Sequence, residues 1–169
     1  MPEDKRELLT ALYGGVDFME PTLPGLRRMD SAPYPGAYLS DAPRQTGGGG
    51  LVSTLGDQVR LVQSLMPGGP TLLRPETIAL MTQNQIGRTY SSNGLGFGYG
   101  FEVIESPTPK RPEPAGAFGW SGAYGTYYRV APKEKLVILV YTQLYPNWTD
   151  VKDKLAEAIF QSLTGKHRS

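Results

Sequence analysis

From Gly94 onward the large apolar residues recur at every second position, and this period restricts the fold more than any single motif does. Gly94-Leu-Gly-Phe-Gly-Tyr-Gly-Phe101 alternates small and large residues, as a strand does where neighbouring backbone comes close. Residues 117–121, 125–131 and 136–143 follow, rich in aromatic and β-branched side chains. Pro132-Lys-Glu-Lys135 is a tight turn between the last two, and the four prolines of residues 106–114 mark a loop. Connections this short join antiparallel neighbours.

Before Gly94 the period is helical. Thr54 is placed to cap a helix, with Asp57 near its positive end. Leu55, Val59, Val62 and Met66 form the stripe, joined by Leu61 and Leu65, and Pro67-Gly-Gly69 ends it. Pro75-Glu76 opens a second short helix carrying Ile78, Leu80 and Met81. After the strands, Thr149 caps a final helix with Val151, Leu155, Ile159 and Leu163 on one face and Gly165 at its end. This order predicts an α+β fold, an antiparallel sheet packed against helices on one face. Residues 3–13 read as a short helix stopped by Gly14-Gly15, with Leu8, Leu9 and Leu12. From 16 to 44 no period holds. Pro21, Pro24, Pro33, Pro35 and Pro43 predict an extended stretch that leans on another part of a larger structure. The chain thus divides into an irregular segment with a short helix (1–46), a helical segment (47–93) and strands plus a C-terminal helix (94–169), together one partial domain.

Composition removes several chemistries. The 169 residues contain no cysteine, so a disulfide framework, a thiolate zinc site and a cysteine nucleophile are excluded. The one histidine, His167, stands near the end, which leaves no Ser-His-Asp triad or histidine metal site inside the fold. A net charge of +1 gives no electrostatic reason for a nucleic-acid or anionic-membrane partner. The longest apolar run, residues 136–141, is far short of the roughly 20 a spanning helix needs. No signal peptide is visible, so the chain reads as soluble, and its compartment stays open between cytoplasmic and, for a longer parent, periplasmic.

Local motifs are weak one by one. The glycines at 47–50 lack the Gly-Lys-Ser/Thr ending of a phosphate loop, and those at 94–100 fit no Gly-x-Gly-x-x-Gly frame. Gly119-Trp-Ser-Gly122 nearly spells a nucleophile elbow, but strands lie on both sides and Ser121 has no histidine base. Asn147-Trp-Thr149 reads as the approach to a helix cap, and most tyrosines as sheet packing.

The motifs are informative in combination. Gly47-Gly-Gly-Gly-Leu-Val-Ser-Thr54 leads into Asp57-Gln-Val-Arg-Leu-Val-Gln-Ser-Leu65. Leu73-Arg-Pro-Glu-Thr-Ile-Ala-Leu-Met81 follows, then the run 94–101. Gly119-Trp-Ser-Gly-Ala-Tyr-Gly-Thr126 and Pro132-Lys-Glu-Lys-Leu-Val-Ile-Leu-Val-Tyr-Thr142 complete the series. In this order they resemble the C-terminal half of the serine β-lactamase and penicillin-binding-protein-like family, nearest the class C β-lactamases and related esterases. The resemblance runs from about Ala37 to Leu163. It implies the C-terminal part of the β-lactamase/transpeptidase-like fold, with the helices at 54–83 in a separate helical region.

By this resemblance Trp120-Ser121-Gly122 is the family's third active-site motif in its Trp-x-Gly form. Gly122 lets backbone approach the substrate, and the Ala123 N–H is an oxyanion donor, typically worth roughly 3–4 kcal/mol in the transition state. Trp120, with Ser121, Gly122 and Tyr124, lines the substrate site. A tryptophan there carries no charge for a substrate carboxylate, which favours esters and amides over efficient β-lactam turnover. The Ser-x-x-Lys motif is absent: no serine has lysine three positions on. Tyr145-Pro-Asn147 spells Tyr-x-Asn but follows the third motif, where the family places it before. The resemblance therefore implies part of a serine hydrolase, inactive alone, with no metal or organic cofactor. Its substrate in the complete enzyme is a small ester, amide or β-lactam, and a missing N-terminal half or self-association covers the open faces. The alternatives are a non-catalytic binding or scaffold module derived from that fold, and an unrelated small α+β protein.

Overall fold

The computed structural model describes residues 3–17, 19–20, 25–29, 48, 51–89, 93–163 and 165. By contact the chain divides into two units: Met1–Ser53, Gly122–Thr126 and Tyr141–Thr149 form one, and Thr54–Ser121, Tyr127–Val140 and Asp150–Ser169 the other.

In the first unit, residues Glu3–Leu8 form a 3-10 turn rather than the expected helix to residue 13. Tyr13–Gly15 is a strand, β1, paired antiparallel with β2 (Leu26–Arg28) inside the stretch expected to be without structure. The reason is non-local. The Tyr13 N–H donates to the Gln143 carbonyl (2.9 Å), and the Tyr145 N–H to the Tyr13 carbonyl (2.8 Å). These bonds, more than a hundred residues away in sequence, outweigh a weak local helix preference. Leu12 and Met29 are fully buried, while Leu8 lies in solvent. The five prolines of this region, and Gly47, Gly49 and Gly50, lie outside the described residues.

In the second unit, α1 (Leu55–Gln63) begins as expected: Thr54 Oγ1 accepts the Asp57 N–H at 3.1 Å, and Asp57 pairs with Arg60 (2.8 Å). Helix α2 (Pro75–Met81) starts on its proline. The expected long strand at 94–101 is instead a hairpin. Strand β3 (Leu95–Phe97) turns through Gly98–Gly100 into β4 (Glu102–Ile104), which the sequence reading missed. Gly98 has no room for a side chain, since a Cβ would run into the Met81 carbonyl; Gly100 sits at φ +90°. The alternation of small and large residues runs on through a turn that only glycine fits.

Strands β5 (Phe118–Ser121), β6 (Tyr127–Ala131) and β7 (Leu136–Val140) complete a five-stranded antiparallel sheet in the order β3-β4-β5-β6-β7. The last hairpin turns where the sequence places it, with the Lys135 N–H on the Pro132 carbonyl. Alternate residues enter two separate cores. Val103, Phe118 and Val130 pack with Val62, Leu65 and Ile78 of the α1–α2 region. Ile104, Ala117, Tyr127, Ala131 and Ile138 pack with Ala156 and Phe160 of α3 (Val151–Leu163). Helices therefore cover both faces, not one, and the helices at 54–83 share the sheet's own core rather than forming a separate region. Helix α3 is also rotated from its expected register. Ala156 and Phe160 are buried and Ile159 of the expected stripe packs against the same core, whereas Val151, Leu155 and Leu163 are exposed. Its first helical bond runs from the Lys154 N–H to the Asp150 carbonyl, so Asp150 holds the cap position. Thr149 instead gives its N–H and hydroxyl to Asn147 Oδ1.

Candidate functional site

Alternation along β5 sends neighbouring motif residues to two different cavities. Trp120 lines one of about 390 Å³ with Ile86, Leu95, Gly96, Phe97 and Glu102. The Phe97 ring stands edge-on to the indole, centroids 5.1 Å apart at 84°. Ser121 lines another of about 190 Å³, whose wall includes Glu113, Tyr127, Arg129, Lys110 and Lys152. The first is walled by apolar groups except for Glu102; the second is dense with charge. Glu102 borders both.

The charged cavity surrounds an arginine that the sequence reading passed over. Arg129 is only 2% exposed, flanked on β6 by the inward Tyr127 and Ala131. Its Nη2 donates to Glu102 Oε1 at 2.7 Å, and Arg111 Nη1 meets the same oxygen at 3.0 Å. Its Nε donates to the Tyr127 hydroxyl (3.2 Å) and faces Glu113 Oε1 (3.6 Å). Among the described residues Arg129 Nη1 and Glu113 Oε2 are buried without a hydrogen-bond partner. Burial raises the Glu102 carboxyl, but the hydrogen bond and charge of Arg129, with Arg111 behind them, prevail and hold it below its ordinary value. Burial pushes the Tyr127 phenol up. The available signal was positional: an arginine between two core positions of one strand needs a buried acid opposite.

The remaining motif residues lie on the turn Gly122–Thr126. The Gly122 N–H donates to the Thr126 carbonyl (2.7 Å) and the Gly125 N–H to the Gly122 carbonyl (3.1 Å). Thr142 Oγ1 donates between the Tyr124 and Gly125 carbonyls at 3.1 and 3.0 Å, and the Leu144 N–H also reaches Tyr124 O. Gly125 is at φ +79°, and a Cβ there would strike Thr142 Oγ1. Tyr124 packs edge-on against Tyr145, centroids 5.5 Å apart. Ala123 is exposed, and among the described residues nothing accepts its N–H. Chemically, this turn offers a neutral backbone donor to an oxygen of an incoming group.

The structure thus splits the five sequence-predicted site residues. Trp120 and Ser121 end a strand and enter separate cavities, while Gly122, Ala123 and Tyr124 occupy the turn. Among the described residues no hydrogen bond joins Ser121 to Lys110 or Lys152, and no three His, Cys, Asp or Glu side chains gather as a metal site. No helix among them is long and apolar enough to cross a membrane.

Comparison with known proteins places this arrangement. Protein Rv1367c of Mycobacterium tuberculosis is 32% identical over 117 residues, covering 59% of this chain and 29% of the relative. Simvastatin Synthase (LovD) from Aspergillus terreus superposes with a TM-score of 0.71 at 20% identity, over 95% of this chain and 45% of that one. EstCE1, a hydrolase with promiscuous acyltransferase activity, superposes with a TM-score of 0.58 at 26% identity, over 78% of this chain and 33% of that one. The chain therefore spans less than half the length of each of these proteins. All of its elements, from the first turn to most of α3, fall within the match of the Beta-lactamase family model at residues 2–161, and the chain belongs to the Beta-lactamase family.

Proposed function

We propose that this chain is the C-terminal, oxyanion-side portion of a β-lactamase-like serine hydrolase acting by acyl transfer from a small ester or amide. The observation that carries the reading is the uncommitted Ala123 N–H directly after Trp120-Ser121-Gly122. In this reading that amide stabilises the oxyanion, Gly122 admits substrate backbone or its equivalent, and Trp120, Ser121 and Tyr124 border the substrate. An exposed donor needs no reorganisation as charge develops on the substrate oxygen. The nucleophile is not supplied by these 169 residues, which contain no Ser-x-x-Lys. A Ser-x-x-Lys segment completes the site, and the exposed Val151, Leu155 and Leu163 of α3 support its docking or self-association. The missing nucleophile also favours a second reading, a binding or scaffold module that retains the fold without turnover.

The test is reconstitution. A fluorophosphonate probe and a chromogenic ester are applied to the chain alone and mixed with a Ser-x-x-Lys polypeptide of the same family. Hydrolysis and labelling of the added polypeptide, in the mixture only, are expected. In that mixture Ala123→Pro, which deletes the N–H, is expected to lower kcat on the order of 10²–10³-fold, and Ala123→Gly little. Covalent labelling of this chain alone overturns the assignment, and ligand binding without turnover in every mixture supports the scaffold.

A further inference from the structure

We infer that Asn93-Gly94 is a self-modifying site, where the asparagine converts without an enzyme, through a cyclic imide, to aspartate and isoaspartate. The chain has three asparagines, at 84, 93 and 147, and only Asn93 precedes a glycine. The reaction needs an unobstructed main-chain nitrogen on the following residue, a side-chain amide free to turn toward it, and water to open the ring. The side chains of Gln85 and Trp148 crowd the nitrogen that follows the other two asparagines, and Gly94 has none to do so.

Hydrogen bonding separates the three sites in the same order. Asn84 Nδ2 donates to the Gly87 carbonyl (2.9 Å) and to Glu105 Oε1 (2.8 Å), and its Oδ1 accepts the N–H groups of Ile86 (3.1 Å) and Phe97 (3.3 Å). Asn147 Oδ1 accepts the N–H and the hydroxyl of Thr149. Asn93 is exposed, and among the described residues nothing binds its side chain or the Gly94 N–H. Asn93 and Gly94 stand at φ +69° and +74°, in the left-handed region that these two residue types tolerate best. The pair therefore lies in a water-exposed turn ahead of β3, with both reacting groups uncommitted.

In the reaction the Gly94 main-chain nitrogen gives up its proton and attacks the side-chain carbonyl carbon of Asn93. A C–N bond closes the imide, and the side-chain nitrogen takes up a proton and leaves as ammonia. Water then opens the ring at either carbonyl. One opening restores the main chain and leaves aspartate, and the other leaves isoaspartate, whose main chain runs through one additional carbon. That carbon enters where the Gly94 carbonyl accepts the N–H groups of Glu105 (2.8 Å) and Ser106 (3.2 Å), and where a Cβ on Gly94 would already strike the Ser106 carbonyl. Aspartate keeps this spacing, whereas isoaspartate loosens the open end of the β3–β4 hairpin.

The whole chain is incubated at physiological temperature, folded and in urea, in neutral and in mildly alkaline buffer. Peptide mass spectrometry locates the conversion, and a protease that cuts before aspartate but not before isoaspartate distinguishes the products. In the folded protein Asn93 should convert on the order of tenfold or more faster than Asn84 or Asn147, and faster in the alkaline buffer, with isoaspartate among the products. An Asn93 that stays intact in the folded chain while it converts in urea overturns the inference, as does an Asn84 or Asn147 that keeps pace with it. The consequence is read by thermal unfolding. The isoaspartate form, separated by chromatography, should melt about 2–4 °C below freshly prepared Asn93→Asp protein, the loss of roughly one hydrogen bond. Equal midpoints overturn the effect on the hairpin.

Discussion

The two faces of the five-stranded sheet are closed by different means. Toward α1, Val62, Leu65, Val103, Phe118 and Val130 form a core of hydrocarbon alone. Toward α3, Ile104, Ala117, Ile138, Ala156 and Phe160 share the space with Arg129, Glu102, Glu113 and Tyr127. An apolar core loses stability in proportion to the volume removed. A buried ionic core does not, because each charge is tolerable only while its partner remains. The first face therefore fails by degrees, and the second fails when any one charge is left alone.

This contrast is open to measurement by chemical denaturation. The largest effect is expected from Arg129→Ala, which leaves the buried Glu113 without its cation and Glu102 with Arg111 alone, at a cost of about 3–5 kcal/mol. An effect below that of an apolar truncation would break the contrast. On the other face, Val62→Ala should cost roughly 2 kcal/mol through lost burial and the cavity left behind. The faces should also differ in acid. The Glu102 carboxyl lies below its ordinary value of 4.5 in the folded chain. Its contribution is whole above that value in the unfolded chain, and is lost as the pH falls through the lower value of the folded one. Glu102→Gln should flatten that part of the stability–pH curve, whereas Val62→Ala should shift the curve downward without changing its shape. The smallest effect, about 1 kcal/mol, is expected for Thr54→Ala, which removes the cap of α1.

Features set by near neighbours were legible in the sequence. The Thr54 cap, the Pro75 start, the Pro132–Lys135 turn and the last three strands depend on residues a few positions apart, and the structure keeps them. What was not legible is set by distant partners. Strand β1 exists because Gln143 and Tyr145 reach Tyr13. Strand β4 was hidden because its turn continues the glycine–aromatic alternation. The register of α3 followed Ala156 and Phe160, where the sheet offers room, instead of the larger stripe of Val151, Leu155 and Leu163. At the candidate site, order along the chain singled out Trp120 and Ala123 for the roles proposed above. It did not reveal that Trp120 and Ser121 line separate cavities, or that a buried Arg129 lines the second of them.

In the function proposed above, the turn after β5 carries its donor on the main chain, and this would move selection away from the position that bears it. Any residue but proline supplies an amide at 123, so substitutions there can accumulate silently. Thr142, whose single hydroxyl holds two carbonyls, and Gly125, which no side chain can replace without a collision, cannot vary so freely. Comparison of natural variants would then show an unremarkable alanine, with the inheritance constrained at two positions that no reagent aimed at side-chain nucleophiles would find.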